Sequence, residues 1–567
     1  MPPALCRISV VFAGSLALFL GTPNPVCHIP FIILLYPAAL FLASRMDSPF
    51  RLGWYAGIPG AASALYWIAV AAHRYGAFPW ILAAPCSFLL GTYVALWGGC
   101  FSWLMARMQL SPGKRCLSAG CLWFLLEWMR GWFCSGFPWL TLSSGLAAWP
   151  VLIQPLCVLG EYGYSAVLAG IACAICEGII LLENEASFRR CGRHLVLGCA
   201  AAVVMIVAAG AWRLSAMPEI LGKEGVPVSF LLVQGNIRQD LKWTQEYQRQ
   251  TLEKYMKLTL DGVRRNAENS EAVHGKNKKI EIAVSSMGHR EVPEKGVLGP
   301  AIPDVILWPE TAMPFAYPSG KFSEELRFFV RSLGIPLIFG APGVQKEPGR
   351  KTLLYNRAFM LSPEGKETWY DKEHLVPFGE YLPPAFNWKI FEGLLQGLGG
   401  FEPGGQQELF SIFPEKRRKL DMGMLICYEA IFPELARRRV ADGAEILLNI
   451  SNDAWYDYSS APVQHLQLAL MRAVEEGRFV VRATNTGITA VLDPLGGIHA
   501  MSKNNGEYAL FQDGWQTGTV LALQSRTPYF YIHSWIPFCA AVLFLLICFS
   551  SAGGGNFFCR RMKSFLP

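Results

Sequence analysis

Eight long apolar runs limit what this chain can fold into more than any other feature of its sequence. A membrane-spanning helix needs roughly 20 predominantly apolar residues, and most of these runs approach that length. Charged residues make up only 16% of the chain, against roughly 25% in soluble proteins. An ordinary soluble protein is therefore excluded. We predict eight spans, at residues 8–20, 27–43, 54–72, 80–105, 116–133, 164–182, 195–212 and 529–551.

Basic residues in the short connections predict how the spans are oriented, because lysine and arginine collect on the cytoplasmic side. The connections at 22–25, 73–78 and 136–149 carry little positive charge, and the alternate ones are basic. The basic residues are Arg45, Arg51, Arg107, Lys114, Arg115, Arg189, Arg190, Arg193, Arg560, Arg561 and Lys563. We expect both termini in the cytoplasm and the long polar region outside it. These loops largely explain the net charge of +7, so no nucleic-acid partner is expected.

The division of the chain follows from these runs. Residues 1–216 form a membrane domain of seven helices, 217–527 a polar domain, and 528–567 the last membrane helix with a cytoplasmic tail. Within the polar domain, residues 264–303 mix charge, Gly and Pro with weak apolar content. We predict that they form an insertion that is partly loop.

The polar domain has the pattern of a layered α/β or α+β fold, because short apolar segments alternate with amphipathic stretches and turn residues. The predicted strands are 228–234, 305–308, 337–340, 356–361, 423–427, 446–450, 479–483 and 489–492. The predicted helices are 244–263, 322–333, 433–442 and 463–476.

A single cysteine marks the polar domain. The chain has sixteen cysteines, but residues 217–527 contain only Cys427. A lone cysteine cannot form a disulfide within its own domain, so Cys427 is a candidate nucleophile. The alternative is a small buried hydrophobic residue, which is the usual fate of a free cysteine.

Ionisable residues follow three of the apolar segments, where α/β folds commonly present catalytic groups. DVILWPE ends at Glu310, ETWYDKEHLVPFGE contains Lys372 and Glu380, and DMGMLICYE contains Cys427 and Glu429. A thiol is mostly protonated at neutral pH, so it needs a base or a positive neighbour in order to attack. Glu310 can be the base and Lys372 the positive neighbour.

The position of Cys427 between a strand and a helix suggests an exposed nucleophile on a sharp turn. The backbone N–H of Tyr428 can then help to hold an oxyanion. His374 lies in the same strings, so a Cys/His pair remains an open alternative at this point.

The order Glu, Lys, Cys, with LWPE, HLVPFGE, ICYE and NISNDAW, resembles the carbon–nitrogen hydrolase (nitrilase) superfamily. The predicted spans and the strings EWMRGWFCSGFPWL, QGNIRQDLKW and HLVPFGEYLP narrow the resemblance to the bacterial apolipoprotein N-acyltransferase family. The resemblance covers nearly the whole chain. It implies a multi-span helical membrane protein that carries a nitrilase-like α-β-β-α sandwich outside the cytoplasm.

The resemblance also implies roles for individual residues. Glu310 matches the general base, Lys372 the oxyanion-stabilising lysine and Cys427 the nucleophile that carries the acyl thioester. The matched supporting positions are the carboxylates Glu380 and Glu429 and the residues around the mouth of the site, Trp243, Tyr428 and Trp455. It requires no cofactor, and the sequence shows no metal site.

The activity implied by the resemblance is transfer of a fatty acyl chain from a phospholipid, expected to be phosphatidylethanolamine, to the α-amino group of S-diacylglyceryl-cysteine at the N-terminus of an apolipoprotein. This is the last step of bacterial lipoprotein maturation. It places the chain in the inner membrane, with its catalytic domain in the periplasm.

Residues 381–400 would be a mobile arm on the lipid surface or an ordinary buried helix.

Two other functions remain open from the residues alone. The chain could be an amidase whose helices only anchor it, or a sensor or transporter subunit that binds a ligand. Against a transporter, the predicted spans lack clear acid–base pairs other than Glu127 with Arg130, which lies near an outer end, where charges cost less. Against an amidase, the apolar strings around the site would keep water out.

Overall fold

The computed structural model describes residues 3–552 except 77, 184–185, 240–241, 275–301, 347–351, 384–399, 406–407, 415–417 and 503–506. The chain divides into two compact units. A helical unit comprises Met1–Trp212, Ser459–Met471 and Thr527–Pro567. An α/β unit comprises Arg213–Tyr458 and Arg472–Arg526.

The helical unit consists of apolar helices joined by short connections. Its helices are α1 Pro3–Leu20, α2 Leu35–Ala43, α3 Pro49–Ala64, α4 Trp67–Arg74, α5 Trp80–Arg107, α6 Pro112–Arg130, α7 Pro150–Ile153, α8 Leu156–Leu182 and the first part of α9 Ala186–Glu224. Two further helices, which follow the α/β unit in the chain, are Pro528–Ile532 and Trp535–Ala552.

Among the described residues, three helices are long and apolar enough to cross a membrane: α5, α8 and Phe188–Glu224 of α9. Helices α3 and α4 together give a fourth candidate that is bent by 52°. The other apolar helices are shorter, and α6 contains four charged residues. The structure thus supports an apolar helical region, while the count of eight spans remains a prediction.

Large apolar side chains on the surface of the helical unit fit this reading. Soluble proteins rarely expose extensive apolar patches, whereas membrane-facing surfaces do. Exposed examples are Ile8, Phe12, Ile81, Leu89, Leu197, Val204 and Met205.

The α/β unit contains two six-stranded sheets. Sheet order is β12-β1-β2-β3-β4-β5 in the first and β11-β10-β9-β8-β7-β6 in the second. The strands are β1 Val226–Gln234, β2 Val305–Leu307, β3 Leu337–Gln345, β4 Leu353–Leu361, β5 Glu367–Asp371, β6 Phe410–Ile412, β7 Leu420–Ile426, β8 Ile446–Ser451, β9 Val480–Thr484, β10 Ala490–Leu492, β11 Ile498–Ala500 and β12 Gly514–Ala522.

Alternating side chains of the first sheet enter two different cores, as expected from the two-residue repeat of a strand. Phe230 and Leu232 of β1 belong to a core shared with the second sheet. Leu231 and Val233 belong to a core shared with helices α10 Gln245–His274 and α11 Ser323–Leu333. The unit is therefore layered, with helices packed outside the first sheet and two sheets face to face.

The second sheet is also covered by a helix, since α12 Pro433–Ala441 packs against β7. The helix α13 Ala461–Glu476 follows β8 in the chain. The helices Pro528–Ile532 and Trp535–Ala552 are α14 and α15. All eight predicted strands and four predicted helices of the polar domain are present, although β3 extends to Gln345 and α10 to His274.

The extended α10 corrects one prediction. Residues 264–274, assigned to the start of the insertion loop, are helical. Their run RRNAENSEAVH contains several good helix formers, so the α10 pattern continues through them. The rest of the predicted insertion up to residue 301, the centre of the predicted arm at 384–399, and the basic C-terminal tail lie outside the described residues.

Candidate active site

Three strand ends carry the candidate catalytic residues. Glu310 lies just after β2, Lys372 directly follows β5, and Cys427 directly follows β7. Strands β2 and β5 run in the same direction, because β2 is parallel to β3 and two antiparallel pairings connect β3 to β5. Their carboxyl ends therefore lie at the same edge of the first sheet.

Lys372 bridges two carboxylates. Its side chain is only 1% exposed, and Nζ lies 2.9 Å from Oε1 of Glu380 and 3.5 Å from Oε1 of Glu310. Burial alone would lower the pKa of Lys372, but the charges of Glu380 and Glu310 reverse the effect and hold it above its usual value. Lys372 is therefore a permanent cation at this site.

Asn356 of β4 fixes both carboxylates in place. Its Nδ2 donates to Oε1 of Glu310 at 2.7 Å and to Oε1 of Glu380 at 2.6 Å. The second oxygen of Glu380 accepts the backbone N–H of Val376 at 2.8 Å. The carboxylates are thus oriented by neutral donors as well as by Lys372, and Asn356 was not predicted from the sequence.

Cys427 opens a 3₁₀ turn, Cys427–Ile431, in a strained backbone conformation. Its φ is +50°, in the left-handed region that residues with a side chain rarely adopt. Burial and the nearby charge of Glu310 raise the pKa of its thiol, although Lys372 and a hydrogen bond with Ser451 work in the other direction. The resting thiol is therefore protonated, and attack requires a base to take its proton.

Glu429 ties two of these segments together. Its Oε2 accepts the N–H of Ile426 at 2.7 Å, and its Oε1 accepts the N–H of Glu373 at 2.7 Å, that of His374 at 3.1 Å and the hydroxyl of Tyr370 at 2.9 Å. Burial raises the pKa of Glu429 to about 7, against the effect of these donors. This carboxylate holds the end of β7 to the segment that follows β5.

The rings near Cys427 form an aromatic cluster. The imidazole of His374 lies 3.9 Å from the Phe432 ring and 5.8 Å from the Tyr428 ring, measured between centroids. Tyr428 is buried and contacts Phe432 edge to face at 5.1 Å. His374 thus contributes its backbone N–H to Glu429 and its ring to this cluster.

The two predicted tryptophans differ in exposure. Trp243 is 46% exposed, just before α10. Trp455 is half-buried in the 3₁₀ turn Asp453–Tyr456 that follows β8. Burial and the nearby carboxylate of Asp453 raise the pKa of the neighbouring Tyr456, so its hydroxyl stays protonated.

Asp453 was also not predicted as part of the site. Its Oδ1 accepts a hydrogen bond from the hydroxyl of Ser451 at 2.9 Å, and its Oδ2 accepts one from Nη2 of Arg482 at 2.8 Å. All three side chains are fully buried. Asp453 and Cys427 offer a carboxylate and a thiol within 4.8 Å of each other. Both oxygens of Asp453 accept hydrogen bonds from its neighbours, so Asp453 belongs to a buried network with Ser451 and Arg482 beside the thiol.

Comparisons with known proteins match both units. The carbon–nitrogen hydrolase family matches residues 232–512, and the apolipoprotein N-acyltransferase N-terminal domain matches residues 14–174. An amidase of the nitrilase superfamily from Nesterenkonia is 18% identical over 52% of this chain and 90% of its own, with a TM-score of 0.32. That score is too low to carry an argument.

Full-length relatives give the stronger comparison. The apolipoprotein N-acyltransferase of Geobacter metallireducens is 31% identical over 90% of this chain and 89% of its own length. That of Pseudomonas aeruginosa is 30% identical over 92% of each chain. With a relative this similar over nearly its full length, the chain belongs to the apolipoprotein N-acyltransferase family, and its α/β unit is a carbon–nitrogen hydrolase domain.

Proposed function

We propose that the chain transfers a fatty acyl group from a phospholipid to the N-terminal α-amino group of S-diacylglyceryl-cysteine on an apolipoprotein. Its family membership over 90% of the chain supports the reaction class. The observation that carries the chemistry is the buried Cys427 thiol at a strand end, which interacts electrostatically with the carboxylates of Glu310 and Asp453 and with the ammonium group of Lys372. Such a thiol can form a thioester, which is reactive enough to acylate an amine.

In the first half-reaction, Sγ of Cys427 attacks the ester carbonyl carbon of the phospholipid while Glu310 takes the thiol proton. The tetrahedral intermediate collapses with cleavage of the ester C–O bond. Glu310 returns the proton to the leaving oxygen, and a lysophospholipid departs. A base is required here because burial keeps the pKa of the thiol high.

Lys372 and the backbone N–H of Tyr428 are the proposed oxyanion donors. A buried ammonium that stays charged needs no reorganisation when negative charge develops on the carbonyl oxygen. The left-handed backbone of Cys427 begins the turn that presents the next N–H group. Glu380 supports Lys372 by keeping its charge, since its Oε1 lies 2.9 Å from Nζ.

In the second half-reaction, the lipoprotein α-amino group attacks the thioester carbonyl. Glu310 accepts a proton from the nitrogen and delivers it to sulfur as the C–S bond breaks, which yields an amide and restores the thiol. Excluding water protects the thioester until the amine arrives. Trp243, Tyr428 and Trp455 supply the aromatic lining of the site mouth, and Glu429 keeps Cys427 and Lys372 on adjacent segments.

The membrane arrangement is part of the proposal. It has eight spans, a division at residues 1–216, 217–527 and 528–567, both termini in the cytoplasm and the catalytic domain on the periplasmic side of the inner membrane. The alternating basic connections support this orientation. The donor is proposed to be phosphatidylethanolamine, whose acyl ester supplies the carbonyl that Cys427 attacks.

The test is to incubate the purified full chain with acyl-labelled phosphatidylethanolamine and follow label on the protein. We expect label on Cys427 that neutral hydroxylamine removes, and transfer of that label to a diacylated lipopeptide with a free α-amino group. Cys427→Ala should take up no label. Cys539→Ala, which changes an exposed cysteine of α15, is the matched control and should be labelled normally.

The outcomes separate the functions. Label that persists until the lipopeptide amine arrives supports the transferase. Label lost to water as fast as it forms, or hydrolysis of small amides, would instead favour an amidase. If the wild-type protein takes up no label from phosphatidylethanolamine but does take it up from another phospholipid, the proposed donor is wrong and the thioester mechanism stands.

A further inference from the structure

A second buried lysine lies next to the candidate base. Lys242 belongs to the connection between β1 and α10, and its side chain is fully buried. Its Nζ donates to Oγ1 of Thr311 at 2.7 Å, and its backbone N–H donates to the carbonyl of Arg238 at 3.2 Å. Lysine is almost never fully buried unless it is paired, so this position calls for a compensating interaction.

The acceptor, Thr311, directly follows Glu310 and is itself constrained. Its φ of +46° is an outlier for a β-branched residue. The turn also lies tightly against β3, where a Cβ at Gly340 would come within 2.4 Å of the Thr311 nitrogen. Gly340 donates its N–H to the carbonyl of Pro309 at 3.1 Å. The turn that carries Glu310 is thus held by the backbone of β3 and, through the Thr311 hydroxyl, by Lys242.

The charge of Lys242 also acts on Glu310. Burial lowers the pKa of Lys242 to about 7, although attraction to Glu310 opposes the decrease. The other titratable groups that face Glu310 are Lys372, Cys427 and Tyr456. Those three have pKa values raised above their usual ones, so Lys242 is the group in this set whose charge changes near neutral pH.

We propose that Lys242 is a positioning residue that fixes the Thr311 hydroxyl and stabilises the ionised Glu310 carboxylate, the form that accepts a proton from Cys427. This inference rests on the proposed acyl-transfer function. Lys242 is charged at mildly acidic pH, where a base is hardest to keep deprotonated. Its contribution disappears as it loses its proton at higher pH.

The test is the pH dependence of Cys427 acylation in Lys242→Met, a substitution that keeps the length of the side chain and removes its charge. Losing a nearby cation should move the acid limb of the rate profile to higher pH by about one unit. At a given pH on that limb the rate should fall by up to roughly tenfold, since one pH unit there is a factor of ten. Above about pH 8 the difference between the variant and the wild type should shrink, because Lys242 of the wild type has then lost its charge.

Two further variants keep the test decisive. Thr311→Val removes the hydroxyl that accepts the hydrogen bond from Nζ of Lys242. It should move the acid limb in the same direction by a smaller amount. This variant tests the proposal if Lys242→Met does not fold. Lys223→Met changes an exposed lysine of α9 and should leave the profile unchanged. Thermal unfolding checks that each variant is folded.

The failures are distinguishable. A loss by the same factor at every pH would mean that Lys242 has only a structural role, and a profile that superimposes on the wild type would mean that it has no role; either result overturns the inference. If the wild-type protein itself acquires no hydroxylamine-labile label, the proposed acyl transfer is wrong, and the inference falls with it.

Discussion

The α/β unit and the helical unit each contain a cluster of buried charge, built from similar residues. In the α/β unit, Lys372 lies between Glu310 and Glu380, and Asn356 donates to both carboxylates. Among the described residues, these side chains bond mainly to one another, and Glu380 also accepts one backbone N–H. Glu310 and Lys372 also act electrostatically on the thiol of Cys427.

In the helical unit, the buried charged side chains form hydrogen bonds with backbone groups instead. Oε1 of Glu127 accepts the N–H of Leu142 at 3.0 Å, and Arg130 donates to the carbonyl of Leu140 at 3.4 Å. Oγ of Ser165 accepts the N–H of Ser143 at 3.0 Å. The acceptors and donors lie in the irregular stretch after α6. In apolar surroundings such a stretch must satisfy its backbone groups internally, and these side chains do so.

The difference teaches that a buried charge does not by itself identify a catalytic site. What it contacts is more informative. Substitutions in the α/β cluster should slow the chemistry, and substitutions in the helical cluster should weaken the fold while leaving the chemistry of folded molecules nearly unchanged. The following predictions test that contrast.

The largest effect is expected for Glu310→Gln. The rate of Cys427 acylation should fall roughly 10³- to 10⁴-fold, the upper part of what general base catalysis supplies, because an amide cannot take the thiol proton. The amide oxygen still accepts from Asn356, so thermal stability should change little. Single-turnover labelling gives the rate. A loss below tenfold would assign the base to another residue.

Lys372→Met should be next. Removal of one preorganised oxyanion donor typically costs about 10²- to 10³-fold in rate. It also leaves Glu310 and Glu380 without their common cation, so some loss of stability should accompany it. Lys372→Arg, which keeps the charge, should recover part of the rate. Equal rates for the Met and Arg variants would argue that the position of the amine, not its charge, is what matters.

The sequence predicted the central strands of the α/β unit well. The central strands that present Glu310 and Cys427 contain short apolar runs, VIL in β2 and MLI at the end of β7, which are recognisable because both faces of these strands are buried. Strand β5, which presents Lys372, reads ETWYD and was missed, as were the short edge strands β6 and β11 and the polar β12. Edge strands have half-exposed faces and mixed composition, so their pattern is weak.

Contacts among the candidate site residues were not predicted from the sequence. Asn356 lies 46 positions from Glu310 in the chain, and Lys242 lies 69 positions from Thr311. Only the sheet order brings these pairs together. A polar Asn within the apolar strand β4 was the available signal, because asparagine is depleted in strands.

Glu429 adds a pH-dependent effect on stability. Because its pKa is about 7 in the folded protein and near 4.5 ordinarily, the folded state binds more protons between those pH values. Its contribution should therefore be greatest below about pH 4.5 and decline by about 3 kcal/mol by pH 8, the equivalent of the shift. In Glu429→Gln, Tm measured against pH should lose this slope. A variant curve that declines as steeply as the wild type would place the titrating group elsewhere.

The smallest effect is expected for Glu127→Gln, and it tests the contrast most directly. The amide keeps an oxygen for the Leu142 N–H but leaves Arg130 without its counter-charge, 3.7 Å away. We expect the free energy of unfolding to fall by about 2 kcal/mol. This is less than for a buried ion pair in a soluble protein, because the unfolded chain in a membrane also finds partners for its polar groups. Tm in detergent should fall, while acylation per folded molecule stays within about threefold. The double variant Glu127→Gln/Arg130→Met should regain part of the Tm, since it removes the uncompensated charge. A folded Glu127→Gln protein that had lost most of its acylation rate would contradict the contrast, because the helical cluster would then act on the reaction and not only on the backbone it binds.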